Sequence, residues 1–279
     1  MGEERSAGQM NGNGEKQRLA GIKKGLVSTG IIAIILNFLK PALIFLKPLA
    51  ALLKLSKFGG TLVSMVVTVA VYAMIWGWWF ALGFVILIFI HENGHMYAAK
   101  MIGLPVSRPV FIPFVGAFIA MKEIPKNAKE EALIGYGGPL AGTAGALACA
   151  AIYSLTGNPF WLALSYLGFF LNLFNLMPLG FLDGGRVASA VSCWLWIPGA
   201  VILTYMAVKY TNPVIFFVLI LGVIQAYKVF KHRNEPEMIN YYQIEPEFRF
   251  KMGLAYLFLL SVTGVGMGYS HSLLGNVQI

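Results

Sequence analysis

Within the apolar stretch Phe89-Ile90-His91-Glu92-Asn93-Gly94-His95-Met96-Tyr97-Ala98-Ala99, two histidines four residues apart flank a glutamate. On a helix, positions i and i+4 share one face, so His91 and His95 can hold one ion together. Glu92 lies about 100° around the helix from His91, within reach of a water on that ion. This is the H-E-x-x-H arrangement of zinc hydrolases, in which two imidazoles and a third ligand leave one position open for water. The metal brings the water's pKa toward ~7 and the glutamate takes its proton. An H-E-x-x-H string can arise by chance, but the chain has only 4 histidines. The stretch also reads as a membrane span, where ionisable groups are costly and mark function.

The third ligand is sought among the acidic residues. Of the 12, nine fall in tails and obvious loops, and Glu131 stands at a helix start, where its charge suits the helix dipole. Only Glu92 and Asp183 are embedded among apolar spans. Asp183 sits on the break Phe181-Leu182-Asp183-Gly184-Gly185-Arg186. A buried carboxylate must be paired or bound to a metal, and irregular backbone at membrane depth must be enclosed by protein or line a cavity. Asp183 is therefore the candidate third ligand of one Zn²⁺ per chain, the alternative being an ion pair with Arg186.

The elements that must position these groups follow from composition. The chain of 279 residues is 58% hydrophobic and 12% charged, with mean hydropathy +0.71. Soluble domains carry about 25% charge, so the expectation is an all-α polytopic membrane protein. Its net charge of +9 fits cytosolic loops of a membrane protein and does not require nucleic acid. Residues 1–25 read as a disordered cytosolic tail. Residues 26–57 read as a kinked interfacial or re-entrant segment, broken by Lys40-Pro41 and Lys47-Pro48, with a tilted span as the alternative. Phe58 to Ile90 carries no charge and is too long for one span. A turn at Trp76-Gly77-Trp78-Trp79 divides it into helices over about 60–76 and 79–100.

Residues 104–126 hold Pro105, Pro109, Pro113 and Pro125, so they are not one helix. Val110–Ile112 and Phe114–Met121 read as short strands or a membrane-dipping hairpin, or else as an amphipathic surface loop. Further spans are expected at 132–155, 160–182 (broken near its end by Pro178 and Gly180), 187–208, 213–230 and 252–269, with a cytosolic loop at 231–251 and a C-terminal helix and tail over 252–279. About six to eight transmembrane helices result. With residues 1–57 inside, only Lys209 of the 21 lysines and arginines falls outside. The N-terminus and the candidate site then face the cytosol. Cys149 and Cys193 read as buried small apolar residues, and His232 and His271 as solvated.

The combination of His91-Glu92-x-Gly94-His95 on one span with Asn175-x-x-Pro178 and Leu182-Asp183-Gly184-Gly185 at the end of a later one resembles the site-2 protease family. These are intramembrane zinc metalloproteases. Gly138-Pro139 is similar to the family's Gly-Pro motif on the intervening helix. The resemblance covers about 80–188, a three-helix catalytic core within a membrane protease domain at 58–230. It implies Glu92 as general base, His91, His95 and Asp183 as zinc ligands, and Asn175 as a donor to substrate, an interhelical hydrogen bond being the alternative for Asn175. The implied partner is a membrane protein cut within or near a transmembrane segment, in a bilayer expected to be a prokaryotic plasma membrane. Phe181 replaces the family's second proline, and Gly142 stands where many relatives have Asn. No stretch suits an inserted PDZ or nucleotide-sensing domain. A zinc transporter and a non-catalytic zinc scaffold are the rival readings.

Overall fold

The structure, a computed structural model, describes residues 59–114, 116–119, 123–211 and 213–276. The expectations for residues 1–25 and 26–57 lie outside the described residues. The chain divides into Met1–Val63 and Ser64–Ile279, and the packing described below is that of the second unit.

Nine helices and one hairpin are described: α1 Gly59–Trp76, α2 Trp78–Met101, β1 Val110–Ile112, β2 Gly116–Phe118, α3 Ala128–Thr156, α4 Pro159–Asn175, α5 Asp183–Val191, α6 Trp196–Tyr210, α7 Pro213–His232, α8 Pro236–Tyr241 and α9 Pro246–Asn276. A 3₁₀ turn at Cys193–Leu195 precedes α6. Five segments are long and apolar enough to cross a membrane: 78–101, 128–156, 193–210, 215–232 and 246–276. The stretch Gly60–Trp76 is a shorter apolar helix. The protein is an all-α polytopic membrane protein with one two-stranded sheet.

Local chemistry sets the element ends. Gly77 turns the chain between α1 and α2 at φ +81°, a conformation that costs a residue with a side chain. Asn127 caps α3 by accepting from Glu130 N–H, and Glu130 and Glu131 in its first turn complement the dipole. Gly157, at φ +66°, closes α3 in the left-handed conformation. Asn158 caps α4 and Pro159 opens it.

The strand reading of 110–118 is the one the structure contains. Val110 pairs with Phe118, Phe111 with Ala117 and Ile112 with Gly116, antiparallel. The Phe111 side chain is fully buried among Tyr72, Val85, Ile88 and Leu164. Phe111 N–H donates to Ser64 Oγ at 3.1 Å and Phe114 N–H to Tyr72 Oη at 3.0 Å, which ties the hairpin to α1.

The span at 160–182 breaks near its end, where Pro178 and Gly180 stand: its helix stops at Asn175 and residues 176–182 are turns and bends, with Gly180 at φ +53°. Two expectations need correction. The span at 187–208 is two elements, because Ser192 is extended (φ −165°, ψ 126°) between α5 and the 3₁₀ turn. Its hydroxyl caps that turn through Trp194 N–H, and Trp196 Nε1 donates to Gly185 O at 2.8 Å, folding α6 back on α5. The segment 231–251 is mostly helical, since α7 reaches His232, α8 intervenes and α9 starts at Pro246. Arg249 organises it by donating to Ile244 O, Val191 O and Tyr242 O.

Candidate metal centre

The site forms where α2 meets α3, α4 and the start of α5. Helix α2 packs along α3, and α3 packs along both α4 and α5. Glycines permit the first contact. A Cβ on Gly94 would stand 2.2 Å from Gly137 O, and one on Gly137 would stand 2.6 Å from Gly94 O. Small residues that let backbones approach are the usual basis of helix packing in lipid. This close crossing brings His95 against the backbone of α3. A Cβ on Gly138 would fall 2.1 Å from His95 Nε2.

His91, His95 and Asp183 converge. His91 Nε2 and His95 Nε2 are 3.1 Å apart, and Asp183 Oδ2 is 3.1 Å from the first and 3.2 Å from the second. His91 and Asp183 are buried and His95 is half-buried. Arg186 does not take Asp183; its Nε lies 4.0 Å from Glu131 Oε1 instead, and Glu131 also accepts from Tyr241 Oη at 2.6 Å. The alternative Asp183–Arg186 pairing is thereby set aside.

The outer nitrogens fix the tautomers of both rings. His95 Nδ1 lies 2.7 Å from Ile134 O, which only accepts, so Nδ1 carries the proton. His91 Nδ1 lies 2.8 Å from Asn172 Oδ1, and the amide is oriented because its Nδ2 donates to Gly168 O at 2.7 Å. As neutral imidazoles, both rings thus turn a bare Nε2 lone pair inward, against a carboxylate oxygen. Three acceptors meeting at one buried point repel one another unless a metal ion or a proton lies between them. Atoms bound to a tetrahedral ion at about 2.0–2.2 Å lie roughly 3.3–3.5 Å from one another, close to the observed edges of 3.1, 3.1 and 3.2 Å. The donor set of two imidazoles and one carboxylate suits Zn²⁺ with a position to spare. Among the described residues this is the one cluster of three or more His, Cys, Asp or Glu that could hold a metal.

Glu92 follows His91 on α2 and is half-buried. Asn175 lies three residues after Asn172, and its Nδ2 donates to Leu171 O of its own helix at 3.1 Å. The interhelical bond expected as the alternative for Asn175 is made by Asn172 instead. Asn172 escaped the sequence reading, although an amide inside the apolar run Leu171–Leu173 was a signal. Cys149 is buried, as expected, whereas Cys193 is half-buried. His232 is exposed beside Glu235, with Nδ1 2.6 Å from Oε1, and the exposed His271 lies near Tyr166.

With that geometry in view, comparison with known proteins bears on α2 and α3. Residues 79–159 match peptidase family M50. The M50 match contains nearly all of α2, with His91, Glu92 and His95, and the whole of α3, and it ends before Asp183. Asp183 is therefore carried by the geometry. A curated zinc metalloprotease of Methanocaldococcus jannaschii is 32% identical over 124 residues, 43% of this chain and 35% of that protein. The chain thus aligns with about a third of that relative's length. Both findings agree with the resemblance to site-2 proteases.

Proposed function

We propose that this protein is an intramembrane zinc metalloprotease that hydrolyses peptide bonds within or near transmembrane segments of other membrane proteins. The observation that carries the reading is the triangle of two inward-facing imidazole nitrogens and one carboxylate oxygen beside Glu92, within an M50-like helix pair. Zinc bound by His91, His95 and Asp183 would supply Lewis acidity, polarising a peptide carbonyl and acidifying water.

The rest of the work falls to the protein's own groups. Glu92 accepts a proton from the attacking water and returns it to the leaving amine. His91 and His95 are held in register by Asn172 and by Ile134 O, so no ligand must reorient during turnover. A helical substrate must unwind before its carbonyls can be reached. The hairpin offers a place for the extended segment, by strand addition. Because Phe111 N–H is engaged by Ser64, β2 is the edge for pairing. Asn175, with one amide hydrogen on Leu171 O, retains a second donor for the substrate. The cytosolic orientation of the site is part of this proposal and rests on the distribution of Lys and Arg.

A transport path would string ligands across several depths. The single cluster among the described residues favours catalysis. The test is co-expression of full-length wild type and Glu92→Gln with candidate single-span proteins, alongside zinc analysis of each. The expected result is equal zinc in both and cleavage by wild type alone. Cleavage by Glu92→Gln at the wild-type rate would refute the assignment of the base.

A further inference from the structure

We infer that Asn172 and Gly142 form one positioning device for His91: the empty side-chain space at Gly142 exists to admit the amide that fixes the ring. This inference rests on the metal-centre reading above and names residues that act through His91.

Asn172 is buried inside the protein (1% exposed). A buried amide is costly unless satisfied, and here both ends are used. Oδ1 accepts from His91 Nδ1 at 2.8 Å and Nδ2 donates to Gly168 O at 2.7 Å. The second bond gives the first its direction, since it turns the oxygen and not the nitrogen toward the imidazole. An amide flipped the other way would present N–H to Nδ1 and move the ring's proton to Nε2, where it would block a ligand lone pair.

Residue 142 governs whether the amide can be there. A Cβ on Gly142 would stand 2.2 Å from Asn172 Oδ1, 2.7 Å from Nδ2 and 2.8 Å from Cγ. All three atoms of the amide that matter are therefore in the volume a side chain at 142 would fill. Residue 172 reaches this volume from α4 and residue 142 from α3, and only one of them can occupy it. The same space, loaded from the other helix by Asn at 142, could present an amide oxygen to His91 if residue 172 were small.

The prediction is a non-additive pair. The full chain, purified in detergent, is equilibrated in zinc buffers of defined free concentration and its bound zinc is measured. Asn172→Ala lowers zinc affinity by about 10- to 100-fold, the usual cost of losing the partner that orients a ligating histidine. Gly142→Asn lowers it as well, by displacing the native amide. The double variant Asn172→Ala/Gly142→Asn recovers to within a few-fold of wild type. Asn172→Asp, which keeps an acceptor oxygen, stays within about threefold.

Wild-type affinity in Asn172→Ala, or a loss in Asn172→Asp as large as in Asn172→Ala, would overturn the inference. So would a double variant no better than the worse single. If the alanine variant does not fold, Asn172→Asp decides: affinity near wild type supports the device and a tenfold loss overturns it. A wild-type chain that takes up no zinc overturns the metal centre and this inference together. Zinc binding by wild type without the differences above overturns this inference alone.

Discussion

Gly138→Ala is the most revealing single change near the metal centre. The added Cβ would lie 2.1 Å from His95 Nε2, 2.3 Å from Cε1 and 2.6 Å from Cδ2. Non-bonded atoms prefer about 3.5 Å, so the ring and helix α3 would have to separate by at least about 1 Å. Neither has slack. His95 is pinned by Nδ1 on Ile134 O at 2.7 Å, and α2 and α3 already touch through Gly94 and Gly137. Metal sites tolerate distance errors of about ±0.2 Å. Overpacking of this kind costs about 1–3 kcal/mol, which corresponds to roughly 5- to 150-fold in zinc affinity. Gly145→Ala, two turns further along α3, is the control. Its Cβ meets the tip of Leu87 at 3.2 Å, a side chain that can shift, and Ile90 at an ordinary 3.5 Å. Gly135→Ala should fall between them, with Asp183 O at 3.0 Å and Arg186 Cβ at 3.1 Å. Zinc binding and helix content of the three variants, measured in parallel, give the order. A folded Gly138→Ala protein that binds zinc as tightly as Gly145→Ala would refute the packing of His95 described above.

Asp183→Ala should abolish stoichiometric zinc binding, because it leaves two ligands on a site built for three; equilibrium dialysis checks it. Treatment with a strong chelator should abolish cleavage by wild type, and added zinc should restore it, whereas magnesium should not, since imidazole ligands disfavour it. Arg249→Met removes three hydrogen bonds to Ile244 O, Val191 O and Tyr242 O. It should lower stability by about 2 kcal/mol or more by the usual worth of bonds from a charged donor, read as a lower melting temperature of the detergent-solubilised protein.

What could be read from the sequence depended on whether the cost of burial left a trace. His91, Glu92 and His95 stood out because their spacing is helical and their charge is expensive in lipid. Asp183 emerged by elimination for the same reason, and the structure places it within 3.2 Å of both histidines. The prolines and β-branched residues left the hairpin and an amphipathic surface loop as equal readings, and its engagement of Ser64 and Tyr72, which the structure shows, left no trace in the sequence. Asn172 was passed over in favour of Asn175, three residues on. The two lie about 60° apart around α4, and only the packing of α4 against α2 determines which faces His91. The apolar run 187–208 hid a break at Ser192, because hydropathy does not register backbone direction. Its cause is tertiary: Trp196 Nε1 finds Gly185 O across the bend.

X-ray absorption at the zinc edge on the full chain tests the central claim most directly. The account predicts one zinc per chain, bound by two imidazole nitrogens at about 2.0–2.1 Å and by oxygen, with no sulfur. Sulfur in the first shell, a single imidazole, or a chain that holds no zinc would contradict it.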